Sequence, residues 1–470
     1  MIQNENILNE HRRDYPVRER YFRVHPLKRY NLIINFRDGG SEIISHETAF
    51  ILELCGGSYD LETIIEITVG TFKLQEELAK LYLKDIFNKY AAHLRFSSTQ
   101  VTDGPPSDPM RVLVKDQQEW RYSPWRQEKP EELVISLTYH CNHRCNYCCN
   151  SSAEKLPDEL SGKQWLEVID QAAELGVKSI TFSGGEPLLH ESFLEIIKHT
   201  SSQGIYPIIS TNGTLITEKL AEQLAKAGAD FIHLSMSALD EKVYDQIVGR
   251  AGNLPKVKAA IRYLKRFGFY LRLKMVLMSE NIAEVEGLLD FCAQEKVDCV
   301  HLAPFRYTHL ARGSAKLLPS RAELERVAQI AKSKSELYGS SIQIAPPPSE
   351  DLAWHQPQDI VRCGGIKTKL TLLPNGNITL CEALGNHPNF IIGNVQKDSL
   401  GEIWDSEKPD LVNSCKQNVV DEPCKSCEHL DNCGTGCFVC SLIYSENPWS
   451  IDPRCWKAKL AQNVFRASGR

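Results

Sequence analysis

Residues 132–150 read ELVISLTYHCNHRCNYCCN, and this stretch decides the fold. The β-branched run ELVISLT is a strand. It runs straight into Cys141, Cys145 and Cys148, a CxxxCxxC triplet on the loop that leaves the strand end. Three thiolates can ligate three irons of a cubane cluster and leave the fourth iron open for a ligand. A zinc knuckle is the competing reading, with His143 or Cys149 as fourth ligand. α/β barrels place their chemistry at the carboxyl ends of their strands.

Working outward, polar segments follow each of the next apolar runs. ITFSGGEPLLH (180–190) carries Gly184, Gly185, Glu186 and Pro187. IISTNGTLIT (208–217) carries Ser210, Thr211 and Asn212, and FIHLSMSALD (231–240) carries Ser235 and Ser237. From about 131 to 345, six strand runs (133–138, 179–183, 206–210, 231–235, 270–278, 299–305) alternate with helical periodicity (161–175, 191–204, 216–228, 254–268, 281–296, 320–338). Cys292 and Cys299 read as buried apolar packing. Lys274 on the fifth strand either faces the barrel or forms an ordinary salt bridge.

The cysteine triplet followed by GGEP and the later polar strand ends resembles the radical S-adenosylmethionine (SAM) enzymes. The resemblance implies an α/β fold with a partial (β/α)6 barrel. It implies a [4Fe–4S] cluster on Cys141, Cys145 and Cys148, whose open iron chelates the amino and carboxylate groups of SAM. Tyr147, Gly184, Gly185, Glu186, Pro187, Ser210, Thr211, Asn212, Ser235, Arg250 and Leu302 are the implied SAM contacts. In this reading GGEP supports the amino group, its glycines letting the backbone approach the ligand. Arg250 holds the carboxylate or is a solvated surface arginine, and backbone near Leu302 to Pro304 faces adenine. The family's common SLDG is SMSA here, which leaves Ser237 without a clear role.

Sixteen cysteines without an export signal are not a disulfide framework, and nine of them lie from Cys363 onward. CGGIKTKLTLLPNGNITLC (363–381) and CKSCEHLDNCGTGC (424–437), with Cys455, resemble the seven-cysteine SPASM extension. Paired zinc ribbons are the competing reading of those spacings. The resemblance implies that Cys363, Cys381 and Cys437 ligate auxiliary cluster I. It assigns Cys424, Cys427, Cys433 and Cys455 to auxiliary cluster II, giving three [4Fe–4S] clusters in all. No cysteine lies between Cys363 and Cys381, so cluster I has an open iron or takes Cys415 or Cys440. Those two cysteines are also the candidates for a catalytic hydrogen donor.

Residues 1–98 read as a small domain. YFRVHP, YNLIINF and SEIIS are strands, with a turn at Asp38-Gly39-Gly40. HETAFILELCGG, DLETIIEITVGTF and LQEELAKLYLKDIFNKYAAHL are helices. Three strands and three helices in this order make a winged helix-turn-helix. The segment resembles the peptide-chaperone fold of ribosomal-peptide maturation systems, which implies a leader-recognition element. A DNA-binding wing is the alternative. The basic residues from Arg12 to Arg29 suit an acidic leader as well as DNA. Residues 99–130, rich in Ser, Pro and Asp, form a linker in which Trp120 and Trp125 point to packing, and 346–470 form the SPASM domain.

The net charge of −6 argues against general nucleic-acid binding. The opening residues lack the apolar core of a signal peptide, and no apolar run approaches the roughly 20 residues of a membrane span. The expectation is a cytoplasmic enzyme with no nucleic-acid or membrane partner, reduced by flavodoxin or ferredoxin. It cleaves SAM to a 5′-deoxyadenosyl radical, takes hydrogen from a ribosomally made precursor peptide and closes a thioether crosslink. Other outcomes open to the same chemistry are a carbon–carbon crosslink, epimerisation or oxidation. Outside it stand an iron–sulfur transcription regulator and an electron-transfer protein.

Overall fold

The structure is a computed structural model that describes residues 7–19, 21–26, 31–35, 41–44, 46–101, 129–150, 154–305, 315–345, 365, 368–406, 424–427, 436–437, 439 and 441–442. The turn at Asp38-Gly39-Gly40, both linker tryptophans, and Cys363, Cys415, Cys433, Cys440 and Cys455 lie outside the described residues. The chain divides into two compact units, Met1–Trp120 and Arg121–Arg470.

The first unit opens with a helical turn, α1 (Ile7–Glu10), and a strand, β1 (Tyr15–Arg18). The expected strands follow as β2 (Phe22–Pro26), β3 (Asn31–Asn35) and β4 (Ser41–Ile44), an antiparallel sheet in the order β2-β3-β4. The expected helices are α2 (His46–Leu54), α3 (Leu61–Phe72) and α4 (Glu76–Lys89). Asp60 caps α3 by accepting from the Thr63 amide, and Lys73 ends it in the left-handed region at φ 53°. A last strand, β5 (Leu94–Ser97), pairs antiparallel with β1. Neither β1 nor β5 is apparent from sequence, because four residues are too short to show a period. Val101 donates its amide to the Gly57 carbonyl, so pairing with this unit continues past residue 98.

Arg18 corrects one expectation about the basic stretch. Its side chain is buried, with Nη2 donating to Glu53 Oε1 at 2.8 Å and Nη1 to the Phe22 carbonyl. Arg12 pairs with Glu62. These two arginines are committed to internal partners rather than presented together as a basic surface.

The second unit contains the barrel. Its strands are β6 (Glu132–Thr138), β7 (Ser179–Gly184), β8 (Tyr206–Thr211), β9 (Phe231–Ser235), β10 (Tyr270–Leu277), β11 (Cys299–Pro304) and β12 (Gln343–Ala345). All pair in parallel with their sequence neighbours. The crossover helices are α5 (Gly162–Glu174), α6 (Phe193–Ser202), α7 (Glu218–Lys226), α8 (Glu241–Val248) with α9 (Leu254–Arg266), α10 (Val285–Gln294) and α11 (Arg321–Tyr338). Capping boxes start α5 at Ser161/Gln164 and α11 at Ser320/Glu323. The sequence reading missed the short α8 and the three-residue β12.

Strand side chains alternate between two faces. Leu133, Ile135 and Leu137 on β6, Ile232 and Leu234 on β9, and Leu271, Leu273 and Met275 on β10 join Trp165, Ile196, Leu224 and Ile261 of the helices in one core. The alternate positions on the same strands face away from the helices, into the barrel interior.

The sheet does not stop at β6. Three strands from the cysteine-rich region, β13 (Lys369–Leu372), β14 (Asn377–Thr379) and β15 (Ile391–Asn394), extend it to ten. β13 runs parallel to β6, with Lys369 opposite Glu132. A final helix, α12 (Leu400–Asp405), is tied to α5 by the Leu400 amide donating to Gln171 Oε1 at 2.8 Å. A boundary drawn at residue 345 therefore falls within one continuous sheet. Among the described residues, no helix is long and apolar enough to cross a membrane.

Candidate active site

The loop after β6 carries the three cysteines, and six hydrogen bonds hold it against the neighbouring strand ends and the end of α8. The Gly185 amide donates to the Thr138 carbonyl at 2.7 Å, and the Glu186 amide to the His140 carbonyl at 2.9 Å. The Arg144 and Asn146 amides donate to Val248 and Ile247 at the end of α8. Asn142 donates to Thr214 Oγ1 and accepts from Asn212 Nδ2, at 2.7 and 2.8 Å. Sequence reasoning passed over Asn142, while Thr214 belongs to the polar run 210–214 that the sequence marks after β8.

Gly184 and Gly185 lie against the cysteine loop. A Cβ on Gly184, which sits at φ +126°, would lie 2.4 Å from the Thr138 carbonyl oxygen. One on Gly185 would lie 2.2 Å from the His140 carbonyl oxygen. These glycines permit a close approach to the protein's own cysteine loop.

Glu186 is buried beneath that loop. Its carboxylate accepts from Thr211 Oγ1 at 2.7 Å, the Asn212 amide at 2.8 Å and the Leu188 amide at 3.2 Å. Burial pushes its carboxyl up to about 7 against the lowering by these donors. Its carboxylate therefore ties the end of β7 to the end of β8, and its amide ties both to the cysteine loop. Pro187 begins a short 3-10 turn behind it.

The three thiols lie within electrostatic reach of one another. Burial raises Cys145 to about 12, with the charges of Cys148 and Cys141 next in effect. Burial likewise raises Cys141 to about 11. Tyr147 donates to or accepts from Ser237 Oγ at 3.4 Å, and burial raises its hydroxyl well above the ordinary value. That contact gives Ser237 a place beside the cysteine loop. His143 is not available as a metal ligand on this geometry. It is buried, within 3.3 Å of Asn253 Nδ2 and edge-on to Tyr244. Burial, then Arg250 and Lys256, lower it to about 4.

Ser210 and Ser235 lie on the interior face at the ends of β8 and β9. Leu302 is fully buried in the helix-side core, so only its backbone can meet a ligand. Arg250 is exposed just beyond the Gly249 cap of α8.

A second cysteine group approaches the same mouth. Cys381 follows β14, and both it and Cys437 pack against the barrel core. Glu382, next to Cys381, accepts from Ser136 Oγ on β6 at 2.9 Å. After burial, Glu382, Cys148, Lys274 and Cys381 are the charges that act on Cys149. Cys149 thus sits between the core triplet and Cys381. Glu382 went unnoticed in the sequence because nothing but its adjacency to Cys381 marks it. Cys424 and Cys427 are joined by a tight turn, the Cys427 amide donating to the Cys424 carbonyl at 2.9 Å. Of the two implied auxiliary sets, Cys381 and Cys437, and Cys424 and Cys427, fall among the described residues.

The sequence profile of the radical SAM superfamily matches residues 135–292, and that of the SPASM iron–sulfur cluster-binding domain matches 363–428. The PqqA peptide cyclase of Granulibacter bethesdensis is 30% identical over 332 residues, 70% of this chain and 87% of that protein. The chain belongs to the radical SAM superfamily. The PqqA peptide cyclase of Gluconobacter oxydans is 29% identical over 341 residues, 72% of this radical SAM protein and 94% of the relative. Streptococcus suis SuiB bound to SAM shares the fold with a TM-score of 0.68 at 21% identity, over 94% of this chain and 100% of that one. The anSMEcpe structure with SAM and a peptide overlays with a TM-score of 0.54 at 17% identity, over 72% of this chain and 99% of that one.

The described residues fit the family's cofactors. Three mutually interacting thiols stand on a loop held by Gly185 and Glu186, with interior hydroxyls at the neighbouring strand ends. Cys141, Cys145 and Cys148 would hold the cluster. When bound and reduced, that cluster and SAM supply a 5′-deoxyadenosyl radical.

Proposed function

We propose that this radical SAM protein modifies a ribosomally made precursor peptide by oxidative ring closure. The observation that carries the reading is the convergence of the core triplet, Cys149, Cys381 and Glu382 at one barrel mouth. A peptide segment entering there would lie between two cysteine groups. One hydrogen atom would leave a peptide C–H bond to the deoxyadenosyl radical; closing the carbon–sulfur bond would then release the thiol proton to solvent and one electron to the auxiliary side through Cys381 and Cys437. The relatives named PqqA peptide cyclase support ring closure and leave the bond open. A thioether from a peptide cysteine is the linkage proposed here, and a carbon–carbon bond is the second reading. An external one-electron donor such as flavodoxin or ferredoxin supplies the reducing equivalent.

The chain's own residues position and shield. Glu186 and Asn142 fix the cysteine loop; Tyr147 and Ser237 close its underside. Ser210, Ser235 and the backbone at Leu302 are offered to SAM, with the exposed Arg250 at the rim. We assign three [4Fe–4S] clusters, on the core triplet and on the two auxiliary sets that include Cys363, Cys433 and Cys455.

We further propose that residues 1–98 form a winged helix-turn-helix that binds the peptide's leader by strand addition. Among the described residues β4 pairs only with β3, so its other edge can take a strand. Leu78 and Tyr82 are exposed on the face of α4 that also carries Lys89, which reaches Glu42 on β4. That face would wall the groove.

The test is anaerobic co-expression with a short cysteine-bearing peptide encoded beside the gene, followed by mass spectrometry. Loss of two hydrogens supports ring closure. An unchanged mass with an altered residue configuration would replace it with epimerisation.

A further inference from the structure

The barrel interior is layered. At its amino end Tyr206, Phe231 and Tyr270 form an aromatic plug, with ring centroids 6.4 and 5.3 Å from Phe231. The Arg272 guanidinium sits over Phe231 at 5.3 Å. Above the plug, three adjacent strands bring basic side chains into register. Arg272 on β10 is opposite His233 on β9, and Lys274 is opposite His301 on β11 and Ser235 on β9.

Two members of this wall lack compensation. Lys274 is exposed to the interior and makes no salt bridge among the described residues. It faces the barrel, and the ordinary salt bridge that its sequence also allowed does not form among those residues. His233 Nε2 is buried and has no hydrogen-bond partner among the described residues. After burial, the charges that act on His233 are Arg272, Lys274 and His301, all of one sign, and together they lower it to about 3. Among the described residues no carboxylate joins the charges that act on His233.

A polar nitrogen buried without a partner beside an unneutralised ammonium is costly unless a ligand completes it. The chemistry that completes it is a single planar anion. Lys274 supplies the charge, and neutral His233, as its Nε2–H tautomer, supplies a directed donor. A doubly charged phosphate would need more cations than one lysine beside an arginine already held over a ring.

We propose that this basic wall is a carboxylate subsite that seats an aspartate or glutamate side chain of the peptide substrate inside the barrel. It rests on the peptide-modifying reading and adds a residue-level specificity to it. SAM also carries a carboxylate, and the test separates the two sources.

The holoenzyme, reconstituted anaerobically and saturated with SAM, is titrated at millimolar concentration with N-acetyl-Ala-Glu-Ala-amide and its Gln counterpart. The Glu peptide is expected to bind about tenfold more tightly. Lys274→Met should erase that preference with SAM affinity changed less than about twofold, and Lys274→Arg should retain most of it. Equal binding of the Glu and Gln peptides to the wild-type enzyme would overturn the proposal. So would a roughly tenfold loss of SAM affinity in Lys274→Met, which would hand the wall to the SAM carboxylate. Glu-over-Gln selectivity in an enzyme that modifies no precursor would uphold the subsite and remove only the reaction assigned above.

Discussion

Gly185→Ala is the sharpest test of how the site is built. The added Cβ would lie 2.2 Å from the His140 carbonyl oxygen, 2.7 Å from its carbon and 2.8 Å from the Tyr139 oxygen. All three are backbone atoms, so no side chain can rotate away. To reach even 3.0 Å the His140 carbonyl must retreat by about 0.8 Å. That movement stretches the bond it accepts from the Glu186 amide and carries Cys141, the next residue, with it. Overpacking costs about 1–3 kcal/mol and a weakened backbone hydrogen bond about 1 kcal/mol, so stability should fall by roughly 2–4 kcal/mol. A displacement near 1 Å at reacting groups costs on the order of 100-fold in rate. The assay is anaerobic reconstitution, iron analysis and 5′-deoxyadenosine formation with dithionite. The variant should load the core site incompletely and form deoxyadenosine about 100-fold more slowly. Gly70→Ala in α3, where a Cβ meets nothing within 4 Å, is the control and should be neutral or slightly stabilising. A Gly185→Ala enzyme that cleaves SAM at the wild-type rate would refute the role given to this contact.

Wild-type protein reconstituted anaerobically should hold about twelve irons and equivalent sulfide, as expected of three cubane clusters; stoichiometric zinc with negligible sulfide would sink the assignment. Replacing Cys141, Cys145 and Cys148 together by Ala should remove about four of those irons and abolish deoxyadenosine formation, leaving the auxiliary absorbance. Deleting residues 1–101 should weaken peptide modification at least about tenfold and spare SAM cleavage measured without peptide; salt-sensitive duplex DNA binding by this unit, with none to a leader peptide, would overturn leader recognition. Arg18→Leu, which strips Glu53 of its buried ion-pair partner, should destabilise the first unit by about 3 kcal/mol in urea unfolding. His233 has a folded pKa of about 3, below its unfolded value, so the unfolded chain binds the extra proton. Its contribution to stability should therefore fall as pH drops below about 6.5, and His233→Gln should flatten that part of the urea-midpoint profile.

The alternation of apolar runs with helical periodicity was enough to place β6 to β11 and their main helices within a few residues. Those elements are long, and their burial pattern follows a period of two or 3.6. The cysteine spacings and the GGEP segment identified the chemistry, because ligand spacing on a short loop is a local property. β1, β5, α8 and β12 were too short to carry a period. That β13 to β15 join the barrel sheet could not be read locally either, since the pairing of Lys369 with Glu132 spans most of the second unit. The tertiary structure alone decided what each polar residue does. Gly184 and Gly185 were legible as a tight approach, but only the fold shows that they approach the cysteine loop. His143 and Arg18 look the same in sequence as a metal ligand and a surface cation, and burial beside Asn253 and Glu53 makes them neither. Lys274 and His233 lie 41 positions apart in the chain, and parallel strand pairing puts them on adjacent strands of one wall. Local sequence determines which groups are available; long-range packing determines which of them are left without a partner.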